Sequence, residues 1–199
     1  MQRTGVRPGA MADLIWPGLS LSRELSLILA GSILIALSAH LEIPLRPVPI
    51  TGQSFGVLLV GALLGSRRGV ASVLSYLGMG AIGLPVFAGG ASGIARFGGP
   101  TGGYLLGFVA AAFIVGRLSE RGWDRRAWST AAAMLIGTAS IYLPGVIWLA
   151  TFVGWERVLQ VGVLPFIIGD LLKVALASLA LPLGWAFLRA FTPGSPGRT

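Results

Sequence analysis

The sequence predicts an all-α integral membrane protein of six transmembrane helices. Three observations carry that expectation. Of 199 residues, 54% are hydrophobic and only 11% charged, with a mean hydropathy of +0.82, more apolar surface than a soluble core of this size can hide. Six stretches are long enough for a crossing of roughly 20 residues: 25–41, 47–66, 69–95, 97–116, 127–155 and 158–188. Only the last carries charge, at Asp170 and Lys173. The cations are also unevenly placed. Eleven arginines, at 3, 7, 23, 67, 68, 117, 121, 125, 126, 189 and 198, fall on one side of an even-span topology, whereas Arg46, Arg96 and Arg157 fall on the other. That is the positive-inside pattern, with both termini cytoplasmic. A closed β-barrel is the other spanning solution, but runs such as Ala110-Ala-Ala-Phe-Ile-Val-Gly116 do not alternate.

The expected organisation is a cytoplasmic segment over 1–24, one membrane domain over 25–188 and a cytoplasmic tail over 189–199. The first 20 residues contain Arg3, Arg7, Asp13, Pro8 and Pro17 without a long apolar run, and do not read as a cleavable signal peptide. The net charge of +8 reports orientation rather than a nucleic-acid partner. The absence of cysteine excludes disulfides and thiolate chemistry.

Between the first two spans, 41–50 holds three prolines and reads as an extended, stiff external connection. Ser66-Arg-Arg-Gly69 reads as a tight cytoplasmic turn. The connection 119–126 is the longest charged one, with Trp123 and Trp128 suited to the headgroup zone. From Ala88 to Gly103 the chain holds seven glycines, one proline and the single charge Arg96. So many glycines suit a loop folded over a bound molecule, and the alternative is a flexible linker. No internal repeat supports the inverted-repeat architecture of many transporters.

Gly78-Met-Gly-Ala-Ile-Gly83 spells a dinucleotide fingerprint, but it lies inside an apolar span and no acidic residue follows until Glu120. These glycines read as close helix packing. No Gly-x-x-x-x-Gly-Lys-Ser/Thr sequence occurs, so energy for any pump must come from other chains. His40 is the one histidine. No metal cluster or serine–histidine catalytic set follows from it, and it reads as an interfacial hydrogen-bonding residue. No catalytic residue, metal or cofactor is expected.

Asp170 and Lys173 stand out, because charges inside an apolar span must pair or line a polar cavity. Their i, i+3 spacing places them on one helix face. They form either a self-neutralising structural pair or an outward-facing ligand site. Thr51, Gln53, Phe87, Arg96, Thr101 and Tyr104 occupy the outer ends of neighbouring spans and complete a sketch of a pocket for a small, partly polar molecule. Phe87 and Tyr104 read equally well as interfacial aromatics.

Four motifs in order resemble the BioY family: Pro47-Val-Pro-Ile-Thr-Gly-Gln53, Gly80-Ala-Ile-Gly-Leu-Pro-Val-Phe87, Gly99-Pro-Thr-Gly-Gly-Tyr104 and Pro165-Phe-Ile-Ile-Gly-Asp-Leu-Leu-Lys173. The resemblance covers nearly all of 25–188. It implies the fold of a six-helix S component of an energy-coupling factor transporter, which binds biotin from outside. It further implies a bacterial cell membrane location, a transmembrane coupling subunit and ABC-type ATPase subunits as partners. In such families small residues of the first helix face the coupling subunit. Ser32 and Ala36 form one small pair at that spacing, and Ser26 and Ala30 another. Biotin's ureido ring offers two N–H donors and a carbonyl, and its tail ends in a carboxylate. The resemblance thus assigns Asp170 to the ureido group, with Lys173 or Arg96 as the cationic partner. The sequence departs from the family after Val86-Phe87, where Gly89, Gly90 and Ala91 stand in place of an amide side chain, leaving backbone groups or Gln53 to supply that contact. The same architecture serves other vitamins such as riboflavin, thiamine or folate. A proton-coupled carrier or an intramembrane enzyme using Asp170 are the alternatives of different class.

Overall fold

A computed structural model describes residues 9–15 and 20–191. The expected segments 1–24 and 189–199 therefore lie partly outside the described residues, as do Arg3, Arg7 and Arg198. The chain is all-α, with five long apolar helical stretches and a short N-terminal helix. The elements are α1 (Met11–Ile15), α2 (Leu21–Ala39), α3 (Gln53–Ala81), α4 (Gly102–Glu120), α5 (Ala127–Val153), α6 (Trp155–Gly162) and α7 (Ile167–Phe191). A small antiparallel ribbon, β1 (Glu42–Ile43) with β2 (Ile50–Thr51), closes the proline-rich connection in the register Glu42 to Thr51 and Ile43 to Ile50.

Six spans were expected, whereas among the described residues five stretches are long and apolar enough to cross a membrane: Leu21–Ala39, Gln53–Ala81, Gly102–Glu120, Ala127–Val153 and Trp155–Ala190. The difference lies in α3, which carries the expected second and third spans within one stretch. Gly65 interrupts it with φ 83° and ψ 177°, a backbone region open essentially to glycine alone. Its two arms fold back on each other. Gln53 Nε2 donates to Tyr76 Oη at 2.5 Å, although a straight helix would separate those residues by about 35 Å. Likewise a Cβ on Gly69 would sit 3.0 Å from the Cα of Gly61, where a straight helix gives about 12 Å. The expected turn at 66–69 thus begins one residue earlier.

Two other boundaries are corrected. The third expected span was to run to residue 95, but its helix stops at Ala81 and residues 82–101 form a loop with 3-10 turns at Ala88–Gly90 and Ile94–Gly98. The last was to begin at residue 158. Instead α6 occupies Trp155–Gly162, Val163 leaves helical geometry at φ −132°, and α7 starts at Ile167. Val158 and Gly162 of α6 are buried while Trp155 and Leu159 are exposed, an amphipathic helix suited to lie along an interface.

The central helix is α4, packed between α3 and α5. Its Gly103 and Gly107 let the backbones approach. A Cβ on Gly107 would sit 2.8 Å from the Cα of Ile141, and one on Gly103 would collide with the carbonyl of Pro144. Gly78–Gly83, expected to pack helices, mostly does not: Gly78 and Gly83 face open space, and only Gly80 is tight, against the Phe87 ring. Along α2, Gly31, Ser32, Ile35 and Ala39 are buried, with Ser32 Oγ donating to the Ser72 carbonyl at 2.8 Å. Leu25, Leu29, Ile33 and Leu37 are exposed. His40, at the end of α2, is exposed and bonds the Ala36 carbonyl through Nδ1 at 2.8 Å.

At the end opposite the ribbon, polar groups tie the helices. The backbone N–H and Oγ of Ser66 both donate to Glu120 Oε1 at 2.7 Å, so the Gly65 turn is fastened to the end of α4. Arg68 pairs with Asp13 of α1 at 2.6 Å. Asp124 is buried and accepts from Trp185 Nε1 of α7 at 2.6 Å. Burial pushes its carboxyl above the ordinary range, outweighing that bond and the pull of Arg125 and Arg189.

Gly65→Ala is expected to destabilise the protein by about 1–3 kcal/mol, because the added Cβ also meets Glu120 Oε1 at 2.9 Å. Thermal unfolding in detergent checks this, and a midpoint equal to that of wild type contradicts it.

Candidate functional site

At the ribbon end of the bundle the helices splay around a cavity of about 170 Å³. Six segments of the chain supply its wall. The connection 47–51 brings Pro47, Val48, Pro49 and Thr51, and the start of α3 brings Gln53 and Ser54. Phe87, Ala88, Ala91, Arg96, Gly99 and Pro100 come from the loop 82–101, followed by Thr101, Tyr104, Leu105 and Phe108 at α4. Thr138, Ile141 and Tyr142 come from α5, and Phe166, Asp170 and Lys173 from the head of α7. Mostly apolar and aromatic, with a few convergent polar groups, this is the composition of a small-molecule pocket.

All eight expected pocket residues, Thr51, Gln53, Phe87, Arg96, Thr101, Tyr104, Asp170 and Lys173, meet on this one wall. The two open aromatic readings resolve inward, since Phe87 and Tyr104 are both buried. Phe87 packs edge-on to Tyr76 at 5.5 Å and to Phe97 at 5.9 Å. Tyr104 donates to the Gly162 carbonyl at 2.8 Å and so holds α6 against the rim. Gln53 is buried and oriented by Tyr76. The glycine-rich loop is a built element, fastened by Trp148 Nε1, which donates to the Gly99 carbonyl at 2.8 Å.

Asp170 and Lys173 are joined at 2.9 Å, with side chains 14% and 16% exposed. That is too buried for bulk water to solvate them and open enough to face the cavity. Lys173 Nζ also donates to Ser54 Oγ at 2.9 Å, and Tyr142 Oη donates to Asp170 Oδ2. Sequence reading missed Ser54, Tyr142 and Tyr76. A signal was present: the chain has three tyrosines, at 76, 104 and 142, all within apolar stretches where a phenol needs a partner.

The residues expected to face a partner divide. Ser26 and Ala30 are exposed, whereas Ser32 is fully buried against α3 and Ala36 is half-buried against the core. The expectation for Ser32 is corrected: its side chain is committed to the bond with the Ser72 carbonyl.

A family model described as "BioY family" matches residues 10–190. A protein of Pyrococcus horikoshii named a probable biotin transporter BioY is 44% identical over 78% of this chain and 92% of its own length. The biotin transporter BioY of Thermotoga maritima is 42% identical over 73% of this chain and 86% of its own. Among solved structures, the S-component for biotin from an ECF-type ABC transporter superposes with a TM-score of 0.73 at 28% identity, covering 83% of this chain and 94% of that one.

Gly80→Ala is expected to push the Phe87 ring into the cavity, since the new Cβ collides with it. Overpacking of this kind costs about 1–3 kcal/mol. A crystal structure of the variant with Phe87 unmoved, or an unchanged thermal midpoint, contradicts the assignment of Phe87 as a wall braced from behind by Gly80.

Proposed function

The chain belongs to the BioY family, and from that premise we propose that it is a biotin transporter acting as the S component of an energy-coupling factor transporter. The observation that carries the reading is the Asp170–Lys173 pair facing the cavity with Arg96 in the same wall. Biotin is bound from the outside. Its ureido N–H groups donate to Asp170, and the remaining Lys173 N–H meets the ureido oxygen. Lys173 already donates to Asp170 and Ser54, which favours Arg96 as the group that holds the valerate carboxylate. Thr51, Gln53 and Thr101 line the polar part of the path, and Phe87 and Tyr104 the apolar part. Backbone groups of Gly89–Ala91 or the amide of Gln53 stand in for the amide side chain that this chain lacks.

The protein sits in the cell membrane as a multi-pass chain with both termini cytoplasmic. Six crossings follow if each arm of α3 makes one, a reading supported by the return of the chain at Gly65. Active uptake needs a transmembrane coupling subunit and ABC-type ATPase subunits, and this chain is not itself an enzyme. The partner surface is the exposed side of α2 around Ser26 and Ala30, with Ala36 at its margin.

Asp170→Asn and Lys173→Met are each expected to weaken biotin binding by about tenfold or more, with membrane insertion intact. Isothermal titration of the purified proteins checks this, and unchanged affinity in both leaves the pair purely structural. Ala30→Leu, on the exposed side, is expected to spare biotin binding and impair ATP-driven uptake with partner subunits present. Lost binding in that variant contradicts the division between pocket and partner face.

A further inference from the structure

Four side chains form one hydrogen-bonded chain across the cavity: Tyr142 of α5 to Asp170 of α7, Asp170 to Lys173, and Lys173 to Ser54 of α3. Its two inner members are the charges to which ligand recognition is assigned. Its two outer members are neutral hydroxyls, which add no charge to the site and need not have been there for charge balance. An ionised carboxylate accepts through two oxygens with about two lone pairs each. Tyr142 takes one direction on Oδ2 and Lys173 one on Oδ1, so one acceptor direction per oxygen is left. A lysine ammonium has three N–H donors. Asp170 and Ser54 take two of them, so one is left.

The outer hydroxyls also hold these directions still. The Tyr142 ring is set between Tyr104, edge-on at 6.2 Å, and Phe166, at 6.5 Å, so its hydroxyl is fixed in position before any ligand arrives. Without that hydroxyl, Asp170 is free to turn about its side-chain bonds and present both oxygens to Lys173, which removes the acceptor pair from the cavity. Without Ser54, the ammonium is likewise free to swing fully onto Asp170. We infer that Tyr142 and Ser54 are positioning residues that act on biotin through Asp170 and Lys173, fixing the side-by-side acceptor and donor directions a ureido group requires. The inference rests on the proposed biotin reading and adds to it the two residues that preorganise the charged pair.

The test is a pair of double-mutant cycles, read as biotin affinity by isothermal titration of the full chain in detergent. Tyr142→Phe keeps the ring and removes the hydroxyl. It is expected to weaken biotin binding about tenfold in the wild-type background and by less than about twofold when Asp170→Ala is already present, because a residue acting through Asp170 has nothing left to position. Ser54→Ala is expected to behave the same way against Lys173→Met, and it serves as the independent arm if Tyr142→Phe does not fold. An equal loss in both backgrounds means direct ligand contact or a general packing role and overturns the inference, as does full affinity in Tyr142→Phe or Ser54→Ala alone. A wild-type protein that does not bind biotin overturns the functional reading itself, and this inference with it.

Discussion

The placement of two opposite charges inside an apolar bundle is the constraint on which the rest of this structure turns. Charges within an apolar bundle must pair or face a polar cavity, so Asp170 and Lys173 require partners that the bundle itself must supply. It supplies them from three helices: the pair satisfies itself along α7, α5 contributes Tyr142, and α3 contributes Ser54. The helices meet at this end through polar contacts, and Gly103 and Gly107 bring the backbones of α4 and α5 together at the same level. The cavity is the space these contacts leave open, lined on the other sides by Phe87, Tyr104 and the loop that Trp148 fastens.

The opposite end is built on a different plan. There, the hairpin turn at Gly65 is fastened to Glu120, the N-terminal helix is clipped by Asp13 to Arg68, and Asp124 holds Trp185 from below α7. Each tie joins elements distant in sequence, and none faces the cavity. One end of the molecule holds the cavity, and the other keeps the helices in register. Between them, α2 is packed on α3 by Gly31, Ser32 and Ile35 while its other side is left to lipid or a protein partner.

Much of this was legible in the sequence because membrane insertion makes charge conspicuous. Asp170 and Lys173 stand out by their position inside an apolar span, and the six polar and aromatic residues gathered around them all lie on the same wall. Helix ends were less legible. Glycine-rich apolar sequence over 82–95 has the hydropathy of a span, yet its glycines at positive φ, such as Gly89 and Gly90, turn the chain into a loop. Residues 158–162 of α6 read as one span with the sequence that follows because hydropathy averages over an amphipathic helix. Ser32 was misassigned because a small residue in a membrane helix signals close packing without saying which neighbour is packed, and here that neighbour is α3 rather than another subunit. Tyr142 and Ser54 escaped notice because a neutral hydroxyl carries little weight in hydropathy, although its hydrogen bond decides where a charge points.

The central claim is that this single chain selects biotin by a preformed pocket and leaves transport energy to other subunits. Isothermal titration of the purified chain, with no partner present, against biotin, riboflavin, thiamine and folate tests it most directly. The account predicts tight, saturable binding of biotin and none of the other three; tight binding of another vitamin without binding of biotin would contradict it.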